Sequence, residues 1–287
     1  MITQRRETLA GHILDVVAVA DTVITSWGNV FLASMGLPQD WNSDLLSASL
    51  RGAFLHDLGK ANNQFQRLVR RGPEPPQAFR HEWISLYILL CFQMLDRWLF
   101  PQGDNLVRKA ALFAAVGHHL QIADGSAISP RDGSGDSKVM VTTGHPDVAD
   151  LLSRAGEHLW SSGPQPVLTN LTLDLLGDNP LGEVCRWIGE ANRWWENASP
   201  EERRFIALVK ALVIAGDLAG SALPRTGTDA ASWANEVLAR TCESKDVERL
   251  AARGLEGKIL RHFQTEVART QSRMTLLRAG CGGGKTT

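Results

Sequence analysis

Ala53-Phe54-Leu55-His56-Asp57-Leu58-Gly59-Lys60 is the stretch on which the fold turns. An apolar run of helical character delivers an imidazole and a carboxylate side by side. Gly59 permits a close approach or a helix end. Lys60 stands four positions after His56 and three after Asp57. A helix continuing that far puts it on their face, where an ammonium can meet a phosphate or a developing negative charge. A lone His-Asp pair says little; the weight comes from side chains elsewhere.

His12 lies in Leu9-Ala10-Gly11-His12-Ile13-Leu14, and His81 opens a segment at Arg80-His81-Glu82. His118-His119 ends the apolar run Ala110 to Gly117, and Asp217 sits inside Leu212 to Ser221. A carboxylate in so apolar a helix requires a partner or a metal. Alone, His12 reads as a core histidine and His81 as a helix-start histidine; together the seven side chains form a set. Imidazole and carboxylate suit divalent transition metals, and a carboxylate between two histidine groups can bridge two ions, an arrangement used to cleave phosphodiesters. His145, His158 and His262 fit no such pattern.

At 287 residues, 44% hydrophobic and 21% charged, the chain has a globular balance and room for one large or two smaller domains. Lys+Arg is 30 against Asp+Glu 31, so nucleic-acid binding must rest on local patches. The four cysteines, Cys91, Cys185, Cys242 and Cys281, form no CxxC and no disulfide framework, which fits a reducing cytoplasm. Cys91 reads as packing. The N-terminus is not a signal peptide. No apolar run is expected to reach transmembrane length, because Lys210 and Asp217 break the longest one, Phe205 to Ala222.

Apolar spacing is mostly helical. Helices are expected over Thr8–Trp27, Ser43–Leu58, His81–Leu99, Asn105–His119, Asp147–Trp160, Leu181–Trp195 and from Ser199 to Ala222, ending before Pro224. Gly72 to Gln77 reads as a proline loop, and Asp124 to Gly144 as a long exposed loop that can cover a site. Met274 to Ala279 reads as a strand running into Gly280-Cys281-Gly282-Gly283-Gly284-Lys285-Thr286-Thr287. Gly284, Lys285 and Thr286 match the end of a P-loop, and Ala279 holds its first glycine position. Such a loop binds phosphates and magnesium. The expected organisation is 1–245 as a metal-dependent domain, 246–272 as a helical connector and 273–287 as the first strand and P-loop of a truncated helicase domain. No ATP hydrolysis is expected of the piece, since no Walker B acid or second lobe follows.

The order His, His-Asp, His, His-His, Asp resembles the HD phosphohydrolase superfamily. It is most similar to the HD nuclease domain of the CRISPR-associated helicase–nuclease of type I interference systems, in which the HD domain precedes a helicase that begins with a P-loop. The resemblance implies an all-α helical bundle around a two-metal site, with a C-terminal stub of a RecA-like helicase domain. One ion would be held by His12, His56, Asp57 and Asp217. The other would be held by Asp57, His81, His118 and His119, with Asp57 as the bridge and Lys60 beside it as a catalytic group. The implied metals are iron, manganese, cobalt or nickel. ATP and magnesium belong only to the full-length protein. The implied substrate is single-stranded DNA, the displaced strand of an R-loop, after recruitment by the Cascade complex with its guide RNA. No membrane is implied, and the compartment is the cytoplasm.

Arg67, Arg70, Arg71 and Arg80 can line a groove for phosphates, though a solvated helix face has the same composition. Most of the nine tryptophans read as core, Trp83, Trp98 and Trp187 among them. Two other functions share the ligand set. One is an HD phosphohydrolase of nucleotides or cyclic dinucleotides, which would not explain the P-loop. The other is a metal-stabilised docking module without turnover.

Overall fold

The computed structural model describes residues 8–71, 77–119, 138–159, 164–174, 180–238 and 262–269, with positions 245, 249 and 253. The chain divides into two compact units, residues 1–235 and 236–287. In the first, α1 (Leu9–Ser34) starts at Thr8, whose side chain accepts from the Gly11 amide at 3.0 Å. A 3-10 turn at Gln39–Trp41 leads into α2 (Asn42–Leu55), and a second 3-10 turn covers Leu58–Lys60. Then come α3 (Asn63–Arg71), α4 (His81–Cys91), α5 (Gln93–Leu99) and α6 (Leu106–Gly117). Strand β1 (Lys138–Val141), α7 (Pro146–Leu159), strand β2 (Leu171–Asp174), α8 (Pro180–Asn197), α9 (Pro200–Thr226) and α10 (Ala230–Leu238) follow. The second unit takes in the last residues of α10 and, further on, α11 (His262–Arg269). The fold is all-α, as expected, apart from one small sheet.

Four helices make the frame: α2 and α9 pack on each other, and α1 and α6 each pack on both. Their shared core includes Ile13 and Val17, Leu45 and Phe54, Ala110 and Ala114, and Phe205 and Val213. Fully burying a side chain such as Phe54 contributes about 1.5–3 kcal/mol. Alanines and Gly52 keep the crossing tight. A Cβ on Gly52 would stand 3.1 Å from Val213 Cγ2 and 3.2 Å from the Ala111 carbonyl oxygen. The tight crossing brings together the C-terminal ends of α2 and α6, each followed directly by a histidine.

Several sequence expectations are corrected. Helix α1 runs on to Ser34 instead of stopping near Trp27, because Gly28 lies buried inside it. The helix expected over His81–Leu99 breaks at Phe92 (φ −104°, ψ 81°), and the break lets Trp98 turn inward to meet Phe54, ring centroids 6.5 Å apart. Helix α9 passes Pro224 and stops at Gly227, whose φ of 69° suits glycine. Cys91 is exposed, not packed. By length and composition α1 and α9 could each cross a membrane, contrary to the expectation that no run reaches that length. Here their apolar faces are taken up by each other and by α2 and α6.

The expected loop at Asp124–Gly144 holds a strand over its later part; residues 124–137 lie outside the described residues. Strand β1 pairs antiparallel with β2, Lys138 opposite Asp174 and Val141 opposite Leu171. Val141 also bridges to Asn62, and the Thr142 amide donates to the Ala61 carbonyl at 2.8 Å. The two-stranded sheet is thereby fastened to the chain just after Lys60.

Candidate metal centre

Helix α2 ends at Leu55, three residues short of the expected Leu58, so Lys60 does not continue its face. His56 keeps helical angles and Asp57 leaves them (φ −115°, ψ 3°). The 3-10 turn that follows lies against the start of α4. The Gly59 amide donates to Ser85 Oγ at 2.7 Å, and a Cβ there would run into the carbonyl oxygen of His81. Only glycine allows this approach, and the approach carries His81 to Asp57. Asn62 locks the turn. Its Nδ2 donates to the Gly59 carbonyl at 2.6 Å while its Oδ1 accepts from the Gln64 and Phe65 amides at 2.9 Å, capping α3.

All seven expected ligands converge. His12 comes from the first turns of α1, His56 from the end of α2, Asp57 from the turn, and His81 from the first residue of α4. His118 and His119 follow the end of α6, and Asp217 comes from α9. Asp57 Oδ2 lies 3.0 Å from His12 Nε2 and 3.3 Å from His56 Nε2. Asp217 Oδ1 lies 3.2 Å and 3.7 Å from the same two nitrogens. The other oxygen, Asp57 Oδ1, lies 3.2 Å from His81 Nε2 and 3.8 Å from His118 Nε2. The His118 and His119 rings are 4.1 Å apart, and His81 and His119 are 5.8 Å apart.

These donors fit divalent ions. They form two groups, His12-His56-Asp57-Asp217 and His81-His118-His119, each able to hold a metal ion. Ligand atoms about 2.0–2.2 Å from one ion stand about 3 Å apart at right angles, which is the spacing seen. Asp57 is wholly buried, yet its Oδ1 makes no hydrogen bond, and neither does Nε2 of His56, His81 or His118. Buried polar atoms left this way are rare unless they serve a ligand. His56 Nδ1 faces the Ala53 carbonyl at 2.5 Å and His118 Nδ1 the Ala115 carbonyl at 2.7 Å. The carbonyls hold the proton on Nδ1 and leave Nε2 as the donor atom.

The electrostatics agree. Burial works against charge on His12, but hydrogen bonds with Asp217 and Asp57 outweigh it and raise its pKa to about 9. Burial also works against charge on His56, but the nearby carboxylates of Asp57 and Asp217 outweigh it and raise its pKa to about 9. Asp57 and Asp217 are both pushed down, despite burial, by those imidazoles. His118 goes the other way, to about 3, through burial and the charge on His56. The ionised carboxylates thus keep protons on the His12 and His56 imidazoles, where a cation would sit.

Lys60 Nζ is paired with Asp57 Oδ2 and stands 5.3 Å above the Phe65 ring, which meets His81 edge-on at 5.8 Å. Arg67 and Arg70 lie on α3, half-buried and exposed, and Arg71 closes that helix. Arg80 is not free for a strand in the same way: it forks onto Glu82, Nη2 to Oε1 at 2.5 Å and Nε to Oε2 at 3.2 Å. The P-loop residues Ala279, Gly284, Lys285 and Thr286 lie outside the described residues. Sequence reading passed over Glu82, Ser85, Asn62 and Phe65. An acid in the first turn of the apolar segment after His81 was the one signal available for Glu82.

An all-α bundle that gathers these donors around an HD turn defines an HD-type metal-binding domain. The family model described as "Cas3, HD domain" matches residues 3–223. The chain is 34% identical over 284 residues, 97% of its length, to the "Putative CRISPR-associated nuclease/helicase Cas3" of Myxococcus xanthus (strain DK1622). It is 41% identical over 56 residues, 18% of this chain and 5% of the relative, to the "CRISPR-associated nuclease/helicase Cas3 subtype I-F/YPEST" of Pseudomonas aeruginosa (strain UCBPP-PA14). The chain belongs to the Cas3 HD domain family. It spans 37% of the length of the Myxococcus relative.

Proposed function

We propose that this chain is a metal-dependent nuclease that hydrolyses phosphodiester bonds of single-stranded DNA at a centre of two divalent transition-metal ions. One observation carries the reading: Asp57 turns one carboxylate oxygen to His12 and His56 and the other to His81 and His118. His12, His56, Asp57 and Asp217 would hold one ion; Asp57, His81, His118 and His119 would hold the other. Such ions lower the pKa of a bound water and offset charge on a phosphoryl group. Iron, manganese, cobalt and nickel suit these donors.

The protein's own groups do the rest. Asp57 fixes the spacing of the two donor groups. The carbonyls of Ala53 and Ala115 hold His56 and His118 with Nε2 inward. Lys60, once the charge of Asp57 is shared with metal, offers its ammonium to a phosphate oxygen. Arg67 and Arg70 along α3 track the backbone of the strand.

In the intact protein this reading adds a helicase, with ATP and magnesium at the P-loop. It also adds recruitment by Cascade with its guide RNA, the displaced strand of an R-loop as substrate, and the cytoplasm as compartment. The experiment is cleavage of circular single-stranded DNA by this chain with manganese, cobalt or nickel and no ATP, with EDTA and Asp57→Ala as controls. Cutting lost in both controls is the expected result. No cutting by protein carrying two ions, with hydrolysis of small nucleotides instead, overturns it.

A further inference from the structure

His56 and His118 stand at the ends of helices, so each Nδ1 reaches back to the carbonyl three residues earlier, at 2.5 Å and 2.7 Å. His81 is the first residue of α4 and has no preceding helical turn to supply that carbonyl. The group beside its Nδ1 is a carboxylate, Glu82 Oε2, at 3.5 Å. The Glu82 side chain is wholly buried, a costly place for a charge unless it is paired. The fork from Arg80 and the start of α4 hold it in its ionised form.

We infer that Glu82 is a positioning residue for the second ion: its carboxylate, clamped by Arg80, holds the His81 imidazole with Nε2 turned to Asp57 Oδ1. It does for His81 what backbone carbonyls do for His56 and His118. Arg80, partly exposed, then acts on the centre through Glu82. The inference rests on the two-ion reading above.

The test is manganese titration of the metal-stripped protein, followed by electron paramagnetic resonance, for the wild type, Glu82→Leu and Glu82→Gln. The wild type takes up two ions. Glu82→Leu keeps the affinity of the first ion, which also shows that it folds, and binds the second about tenfold or more weakly. Glu82→Gln preserves shape and one acceptor oxygen without the charge, and falls between. Unchanged affinity for the second ion in both variants overturns the role of Glu82 and leaves the two-ion centre standing. A wild type that takes up fewer than two ions overturns both.

Discussion

Asp57 Oδ1 lies 3.2 Å from His81 Nε2, and its second oxygen, Oδ2, faces the other donor group. Among the described residues of the centre, Asp57 is the carboxylate that turns one oxygen to each group. Asp57→Ala is therefore expected to lose both ions and all cleavage while the helical content by circular dichroism stays unchanged. Metal analysis of the purified variant checks the first part and a cleavage assay the second. Substantial residual cutting would sink the bridging role. Asp217→Ala, by contrast, should lose the first ion alone.

Lys60 is paired with Asp57 and 19% exposed, with its ammonium above the Phe65 ring. It contributes no donor to either metal group. Lys60→Ala should keep both ions and lower kcat by about 10²–10³-fold, the scale of losing one charge-stabilising donor. Loss of metal from this variant would instead make Lys60 part of the scaffold of the centre.

Metal binding should release protons. His12 and His56, each with a pKa near 9 despite burial, carry protons at neutral pH in the metal-free protein, and a ligand imidazole cannot keep one. Apparent affinity is expected to rise with pH up to about 9 and then level off. Titration calorimetry in two buffers of different ionisation enthalpy measures the release, and proton-free binding at pH 7 would contradict it. The sign for stability is opposite. An imidazole pKa raised on folding stabilises the metal-free protein fully below the unfolded value of about 6.5. That contribution is lost as pH climbs through the folded value of about 9. His118, lowered to about 3, stays neutral across this window. Metal-free protein should thus melt earlier above pH 9 than at pH 7, and bound metal should remove the difference.

Two caps separate local stability from the centre. Asn62 is wholly buried and holds both the Gly59 carbonyl and the first amides of α3. Asn62→Ala should cost about 1–3 kcal/mol and weaken metal uptake, because it loosens the turn that carries Asp57. Ser199 closes a capping box with Glu202 at the start of α9. Ser199→Ala should cost about 1 kcal/mol and leave metal uptake alone. Urea melts with parallel metal titrations read both.

The ligands were legible in the sequence because metal chemistry admits few residue types and these stood in apolar runs. The bundle was legible because its helices keep the 3.6 period. The rest depends on distance in space. Gly59 and Ser85 are 26 positions apart, and nothing local in either announces their hydrogen bond. The break at Phe92 was hidden because apolar spacing carries on through it, and only packing of Trp98 against Phe54 reveals why the chain turns. Strand β1 has four residues, too few for alternation to stand out from a polar loop. Glu82 looked like an ordinary first-turn acid, since its value lies in the histidine beside it and the arginine clamped to it.

Gly59→Ala separates the two halves of the centre. A Cβ at this position would run into the His81 carbonyl oxygen and stand 2.6 Å from the Ser85 amide nitrogen. Both are backbone atoms of α4, so no side chain can swing aside to make room. Either the 3-10 turn or α4 must shift, at a cost of about 1–3 kcal/mol. The shift moves His81 away from Asp57 Oδ1, while His12, His56 and Asp217 are held by α1, the end of α2 and α9 and do not depend on that contact. The variant is expected to melt earlier, to keep its first ion and to bind the second more weakly. Equal weakening of both ions would mean that Gly59 serves the whole turn, Asp57 included, and not the approach of His81 alone.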